Sequence, residues 1–408
     1  MFYKETNFKE TSIGRIPRDW KVVKLERIFS FKNGQRPKLL EAGKIPVYGA
    51  NGIMGYTNEF LVDNDFTIVV GRVGASGEVH LGQGEIWVSD NAIYSESYER
   101  SMVYPPFVYY LLKFKGLSRF ASKTTHPIIT QTFLNIFQIQ LPSTLEQQKI
   151  AEILSTVDEA IQKTNEIIGK TARLKKGLMQ ELLTKGIGHK EFKDTEIGRI
   201  PKEWRVAKLG EIGTFQYGIT ASAKEEDTGV KFLRITDIRD NGTINWSEVP
   251  FCEISISELS KYTLKVGDVL FARIGATTGK TCYINREIRG VFGSYLIRFL
   301  PDVNSQIDTK FLHLFTQSEM YWLQVNRMKV GQLKKGLNTQ LLKEIKILLP
   351  PLEEQRKIIQ VLSTVDKKLE IERNEKAKLE RIKQGLMDFI LTGKIRVKVN
   401  RCASRSRL

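Results

Sequence analysis

The chain carries two copies of one frame, and that duplication restricts its fold more than any other property. FKETSIGRIPRDWKVVKL (Phe8 to Leu25) returns as FKDTEIGRIPKEWRVAKL (Phe192 to Leu209), identical at 12 of 18 positions with an offset of 184. LPSTLEQQKIAEILSTVD (Leu141 to Asp158) returns as LPPLEEQRKIIQVLSTVD (Leu349 to Asp366) with an offset of 208. The second copy is therefore 24 residues longer, and the added length falls between the shared blocks, where the copies differ most. A frame that repeats while its middle varies implies two related domains with different recognition surfaces. At 408 residues the chain also exceeds what one hydrophobic core usually organises.

Lysine and arginine number 63 against 46 acidic residues, a net charge of +17. Such an excess favours a polyanionic partner, nucleic acid before anionic membrane. The opening MFYKETNFKE mixes charges and lacks an apolar core, so it does not read as a signal peptide. No run approaches the roughly 18 apolar residues of a membrane helix, so no membrane partner is expected. Cys252, Cys282 and Cys402 are far apart and form no Cys-x-x-Cys, which fits a reduced, cytoplasmic protein without a disulfide framework.

After Pro142 the pattern becomes helical. Ile150, Leu154, Val157, Ile161, Ile168, Leu178 and Leu182 fall on a and d positions of one heptad frame, with Thr164, Thr171 and Lys175 as polar entries. The second copy follows the same frame through Ile358, Leu362, Val365, Leu369, Leu379, Leu386 and Ile390, with Glu372, Lys376 and Lys383 on the seam. About 40 residues at about 1.5 Å each make a rod on the order of 60 Å. Helices draw most of their stability from packing an apolar face, so pairing the rods with each other is the economical arrangement. An approximate twofold axis would make them antiparallel, a molecular ruler between two globular units. Two unrelated surface helices are the competing reading.

The expected fold class is α+β: two mixed α/β domains joined by two long antiparallel coiled-coil helices with an internal pseudo-twofold repeat. The expected division is 1–142 for the first domain, 143–186 for the central helix, 187–350 for a linker and the second domain, 351–392 for the C-terminal helix, and 393–408 for a basic tail. FTIVV (Phe66 to Val70) and DVLFARI (Asp268 to Ile274) read as strands, YPPFVYYLLKF and FLHLFTQSEMYWLQ as helices, and Gly186 to Asp194 as the linker.

Two shared elements are candidate contacts. GRVGASG (Gly71 to Gly77) and ARIGATTGKT (Ala272 to Thr281) follow strands; the second is no P-loop, because Gly275 and Gly279 enclose three residues and not four. Each reads as a glycine turn presenting Arg72 or Arg273, which can bond a phosphate or reach guanine O6 and N7. Lys280 lies in the second turn. Before each Leu-Pro block, RFASKTTHPIITQ supplies Lys123, Thr124, His126 and Gln131, and RMKVGQLKKGLNTQ supplies Lys329, Lys334, Lys335, Asn338 and Gln340. Cationic heads near amides suit phosphates and purine edges; a local carboxylate for the arginines, and a solvated charge run for the loops, are the bland alternatives. The four histidines show no metal-ligand spacing, and Gly-x-Ser-x-Gly, Gly-x-Gly-x-x-Gly and the Asn- or Asp-Pro-Pro-Tyr tetrapeptide are missing.

The paired IPxxW openings (Ile16 to Trp20, Ile200 to Trp204), the paired LP…EQ…LSTVD blocks and the helices after them resemble the specificity subunit of type I restriction–modification enzymes, the HsdS family. IPVYGANGIMGYTNEF with WVSDNAIYS looks like one type of its target-recognition domain, and KFLRITDIRDNGTINW with YTLKVGDVLFARIGATTGK like another. The resemblance runs from about Thr11 to Lys394. It implies a non-catalytic chain whose two target-recognition domains bind a bipartite site in double-stranded DNA. It also implies docking of two modification (methyltransferase) subunits on the helices, and restriction subunits recruited through the complex. S-adenosylmethionine and ATP would belong to those partners, with no cofactor on this chain. A coiled-coil protein adaptor, or a methyltransferase or nuclease with its own recognition domains, remains the alternative.

Overall fold

The computed structural model describes residues 2–122, 127–329 and 336–398. The chain divides into two compact units, Met1–Glu166 with Arg373–Leu408, and Ile167–Glu372. Both are mixed α/β.

In the first unit the frame begins with β1 (Phe2–Lys4), the hairpin β2 (Phe8–Thr11) and β3 (Gly14–Pro17), and β4 (Lys21–Lys24). Then follow β5 (Phe29–Asn33), β6 (Ile45–Gly49), β7 (Gly52–Thr57), β8 (Val62–Gly71), β9 (Val79–Val88), β10 (Ala92–Tyr98), the helices α1 (Pro105–Lys115) and α2 (Gln131–Ile136), β11 (Gln138–Leu141) and the long helix α3 (Thr144–Leu182). A six-stranded sheet has the order β5-β10-β8-β9-β6-β7, and β4 pairs antiparallel with β11. Inward side chains such as Phe29, Phe31, Ile68, Val70 and Ile93 pack with Phe107, Leu111 and Leu112 of α1.

The second unit repeats this with β12 (Phe192–Thr195) and β13 (Gly198–Pro201), β14 (Arg205–Lys208), α4 (Leu209–Ile212), β15 (Gly213–Tyr217), β16 (Lys231–Leu233), α5 (Ile256–Tyr262), β17 (Val269–Ala272), β18 (Thr281–Tyr283), β19 (Gly290–Phe292), β20 (Leu296–Pro301), α6 (Thr309–Thr316), α7 (Glu319–Lys329), α8 (Thr339–Lys343), β21 (Lys346–Leu349) and α9 (Leu352–Leu386). Its main sheet has the order β15-β20-β17-β18, the counterpart of β5-β10-β8-β9. The first unit extends that sheet with β6 and β7; the second instead pairs β16 parallel with β19 and buries a separate cluster around Phe232 and Val291.

Two boundaries differ from the sequence reading. FLHLFTQSEMYWLQ is two helices, because Ser318 starts a new one: its carbonyl accepts Trp322 N at 3.2 Å and its hydroxyl accepts Tyr321 N at 3.3 Å. The linker ends before Phe192, whose strand pairs with β13.

The long helices run 39 and 35 residues, and Met387–Leu391 extends the second as a π turn. Each unit holds the start of one and the end of the other. None of the heptad positions named above is exposed, the polar entries included.

The Glu-Gln dipeptide of each Leu-Pro block fastens helix to domain. Gln147 is fully buried; its Nε2 donates to the carbonyls of Pro142 and Met102 at 2.9 and 3.0 Å, and its Oε1 accepts Tyr104 N at 2.8 Å. Gln355 does the same with Pro350 and Gln306, at 2.8 and 2.9 Å, and Asp308 N at 2.9 Å. The preceding glutamates take the buried tryptophans: Trp20 Nε1 donates to Glu146 at 3.3 Å, Trp204 Nε1 to Glu354 at 2.8 Å. Gly393 (φ 72°) and Gly186 (φ 68°) turn the chain beside these indoles, where a Cβ would meet Pro17 or Glu354 and Trp204.

The third member of each latch differs. In the first unit β22 (Ile395–Val397) pairs antiparallel with β1. Its Arg396 bonds both oxygens of Glu146 (2.7 and 2.8 Å), both of Asp19 (2.8 Å each) and Glu5 (2.7 Å). Burial works against the guanidinium's charge, but the hydrogen bonds to Glu146 and Asp19 outweigh it and hold its pKa above the usual value. In the second unit the place is taken by His189, whose Nε2 lies 2.8 Å from Glu354 Oε1.

Candidate nucleic-acid interface

Both units build the same junction from the two segments singled out in the sequence. At the end of β8 the glycine turn closes with Gly77 N donating to Gly71 O (2.8 Å) and Gly71 N to Glu78 O (2.8 Å). At the end of β17, Gly279 N donates to Ala272 O and Ala272 N to Lys280 O, both at 2.8 Å. Gly74 (φ 87°) and Gly275 (φ 70°) occupy the left-handed region that lets each turn close.

The basic segment then joins the turn through the arginine's own carbonyl. Ile129 N donates to Arg72 O at 3.2 Å and Leu337 N to Arg273 O at 2.8 Å. Residues more than fifty positions apart in sequence are therefore neighbours in each unit.

Beyond the backbone the two arginines differ. Arg72 Nη1 donates to the carbonyl of Asp90 at 3.4 Å, a long bond. The Arg273 guanidinium sits 5.0 Å from the Tyr217 ring centroid, and its buried Nε has no hydrogen-bond partner among the described residues. Neither is paired with a described carboxylate.

Of the other candidates, several are engaged by the fold. Gln131 Nε2 donates to Phe31 O at 2.6 Å. Asn338 Oδ1 caps α8 by accepting Leu341 N at 2.9 Å, as Thr130 caps α2 with Phe133 N at 3.1 Å. Lys280 lies 2.5 Å from Asp240 Oδ1. Lys329 donates to Thr278 O at 2.7 Å and lies over the Trp322 ring, and burial lowers its pKa. Gln340 is exposed. Lys123, Thr124, His126, Lys334 and Lys335 lie outside the described residues.

The Glu-Gln dipeptides and Tyr217 have roles in the structure that their place in the sequence does not assign. The dipeptides' signal was their recurrence at an offset of 208; Tyr217 has no counterpart signal. Among the described residues no group of His, Cys, Asp and Glu is placed to hold a metal ion, and no helix is long and apolar enough to cross a membrane.

The family model described as type I restriction modification DNA specificity domain matches twice, over residues 17–170 and 201–381. The chain is 32% identical to the type I restriction enzyme MjaVIII specificity subunit of Methanocaldococcus jannaschii, over 97% of this chain and 98% of that one. It is 20% identical to the EcoDI specificity subunit of Escherichia coli, over 85% and 81%. Its fold is similar to a crystal structure of the type I restriction-modification system S subunit from M. genitalium, at 20% identity with a TM-score of 0.64, covering 90% of this chain and 95% of that one. With both copies of the frame matched and a relative aligned almost end to end, the chain belongs to the family of type I restriction–modification specificity subunits.

Proposed function

We propose that the chain is the non-catalytic DNA-recognition subunit of a cytoplasmic type I restriction–modification complex. Each of two target-recognition domains, 1–142 and 187–350, reads one half of an asymmetric, bipartite site in double-stranded DNA. The helical regions 143–186 and 351–392 pack antiparallel, fix the spacer and dock two modification subunits, and restriction subunits join through that complex. The basic tail, 393–408, begins in the frame, since Arg396 belongs to the first latch.

The observation that carries this reading is the repeated junction. One scaffold twice bonds the carbonyl of an arginine to the residue that follows a basic stretch of sequence, Ile129 or Leu337, while the flanking structure differs, a six-stranded sheet in one unit and a four-stranded sheet in the other. A shared phosphate-positioning device with different surroundings is what two unlike half-sites need. The net charge of +17 supplies the sequence-independent attraction.

The test is methylome sequencing of a host expressing this chain with its modification subunit, against the same host without this chain. A new bipartite, asymmetric methylated motif is expected. A soluble complex that adds no motif overturns the reading in favour of a protein adaptor.

A further inference from the structure

In each unit the arginine of the junction faces a four-residue turn. Ser89 to Ala92 closes through Ala92 N donating to Ser89 O at 3.0 Å, and Gly293 to Leu296 through Leu296 N donating to Gly293 O at 2.8 Å. The turns open β10 and β20, which occupy the same place in the two sheets. The third residue of each turn accepts the arginine's backbone N–H: Arg72 N donates to Asn91 O at 2.8 Å, Arg273 N to Tyr295 O at 3.0 Å.

At this position both copies use the backbone carbonyl to accept the arginine's N–H, and the side chain is left over. Asn91 and Tyr295 are both exposed, Tyr295 by 54%, and neither side chain hydrogen-bonds to a described residue. An exposed tyrosine beside an arginine held against a second tyrosine ring is not explained by folding. The arginine, the glycine turn and the bond to the basic loop are common to both units. The turn residue is where the junction changes chemistry.

We infer that Asn91 and Tyr295 are equivalent specificity-determining residues, each reading a base within the half-site of its own unit. This rests on the proposed function and names residues within it. Asn91 presents an amide donor and acceptor, the pair that matches adenine N6 and N7; Tyr295 presents an apolar ring edge suited to a thymine methyl. Because the scaffold uses backbone groups at this position and not the side chains, side-chain replacement changes what is read and leaves the fold in place.

The experiment uses the full chain co-expressed with its modification subunits, carrying Asn91→Ala, Asn91→Ser, Tyr295→Ala or Tyr295→Phe. Each complex is read by methylome sequencing and by binding to a DNA library randomised across the wild-type motif. The Asn91 variants should lose about 5- to 100-fold discrimination at one base position of one half-site. Tyr295→Ala should do so in the other half-site, with Tyr295→Phe close to wild type. Unchanged preferences at every position, or a uniform loss that extends to unrelated DNA, overturn the inference while leaving the proposed function intact. A wild-type complex without any motif overturns both.

Discussion

Lys383 Nζ lies 2.5 Å from Asp158 Oδ1, and the repeat reproduces that pair in the second unit as Lys175 and Asp366, also at 2.5 Å. Both lysines are seam positions of their helices, and both aspartates close an LSTVD block. In the first unit the end of α9 therefore runs beside the start of α3, and in the second the end of α3 runs beside the start of α9. Tyr110 adds a hydroxyl bond to Asp158 at 2.9 Å.

Reversing the pair tests that register. Asp158→Lys or Lys383→Asp alone should cost about 1 kcal/mol, since both groups are partly exposed, and the double exchange should recover most of it. Urea unfolding of the four proteins of the cycle gives the coupling, which should shrink with added salt.

The latches should fail unequally. Glu146→Ala strips Arg396 of its buried carboxylate and should destabilise the first unit by roughly 3–5 kcal/mol. Glu354→Ala breaks hydrogen bonds from Trp204, Ile187 and His189 in the second unit and should cost less, on the order of 1–3 kcal/mol. Hydrogen exchange resolved by peptide distinguishes which unit opens.

His313 makes the second unit sensitive to mild acid. It is half-buried with its Nδ1 shut away from solvent, stacks on Tyr283, and desolvation, followed by Lys175 and Lys310, pushes its pKa down to about 4. The folded state keeps it neutral while the unfolded chain takes up a proton near its ordinary value of about 6.5. Stability should therefore fall as pH drops from about 6.5 towards 4, by up to about 3 kcal/mol. Asp19 and Glu5 act lower. Arg396's hydrogen bond lowers the Asp19 pKa, whereas for Glu5 burial opposes a net lowering by the Asn7 and Thr6 amides and Arg396. Their contribution is complete above the ordinary carboxylate range and is lost as pH falls through and below it. Thermal melts between pH 7 and 3, with His313→Phe as the control, check the order.

Arg72→Ala and Arg273→Ala should each impair one half-site. Competition binding against DNA altered in the left or right half reads this directly, and equal loss on unrelated DNA would reduce both to general phosphate contacts. Wild-type affinity should fall steeply with salt.

Inserting or deleting helical turns in both α3 and α9 should change the spacer and leave the half-sites as they are. Motif determination on the altered chain is the check.

Much of the frame was readable because it is written twice. The seam residues and the strand ahead of each glycine turn follow from periodicity and repetition, whereas the hairpins that carry the IPxxW segments do not, since FKDT (Phe192–Thr195) has the polar composition of a linker. The break at Ser318 was not legible, since one capping residue inside an apolar run leaves the helical spacing unchanged. Nor were the roles of Gln131 and Asn338, whose amides serve Phe31 O and the start of α8: composition cannot say whether an amide faces a base or a backbone. The proximity of Arg72 to Ile129 depends on sheet order, which no local pattern states.

Gln147 and Gln355 hold each domain by carbonyls and amide N–H groups of residues 102, 104, 306 and 308. A backbone group offers the same bond whatever side chain it carries. A foreign segment joined after Leu25 and before Gln138 would find this socket already cut for any loop that brings two peptide groups to the right place, and would have to match the frame only where side chains such as Tyr110 pack on it. The frame thus asks little of the side chains at these two points, which is why the middles of the two copies can differ so widely while the Glu-Gln dipeptides stay the same.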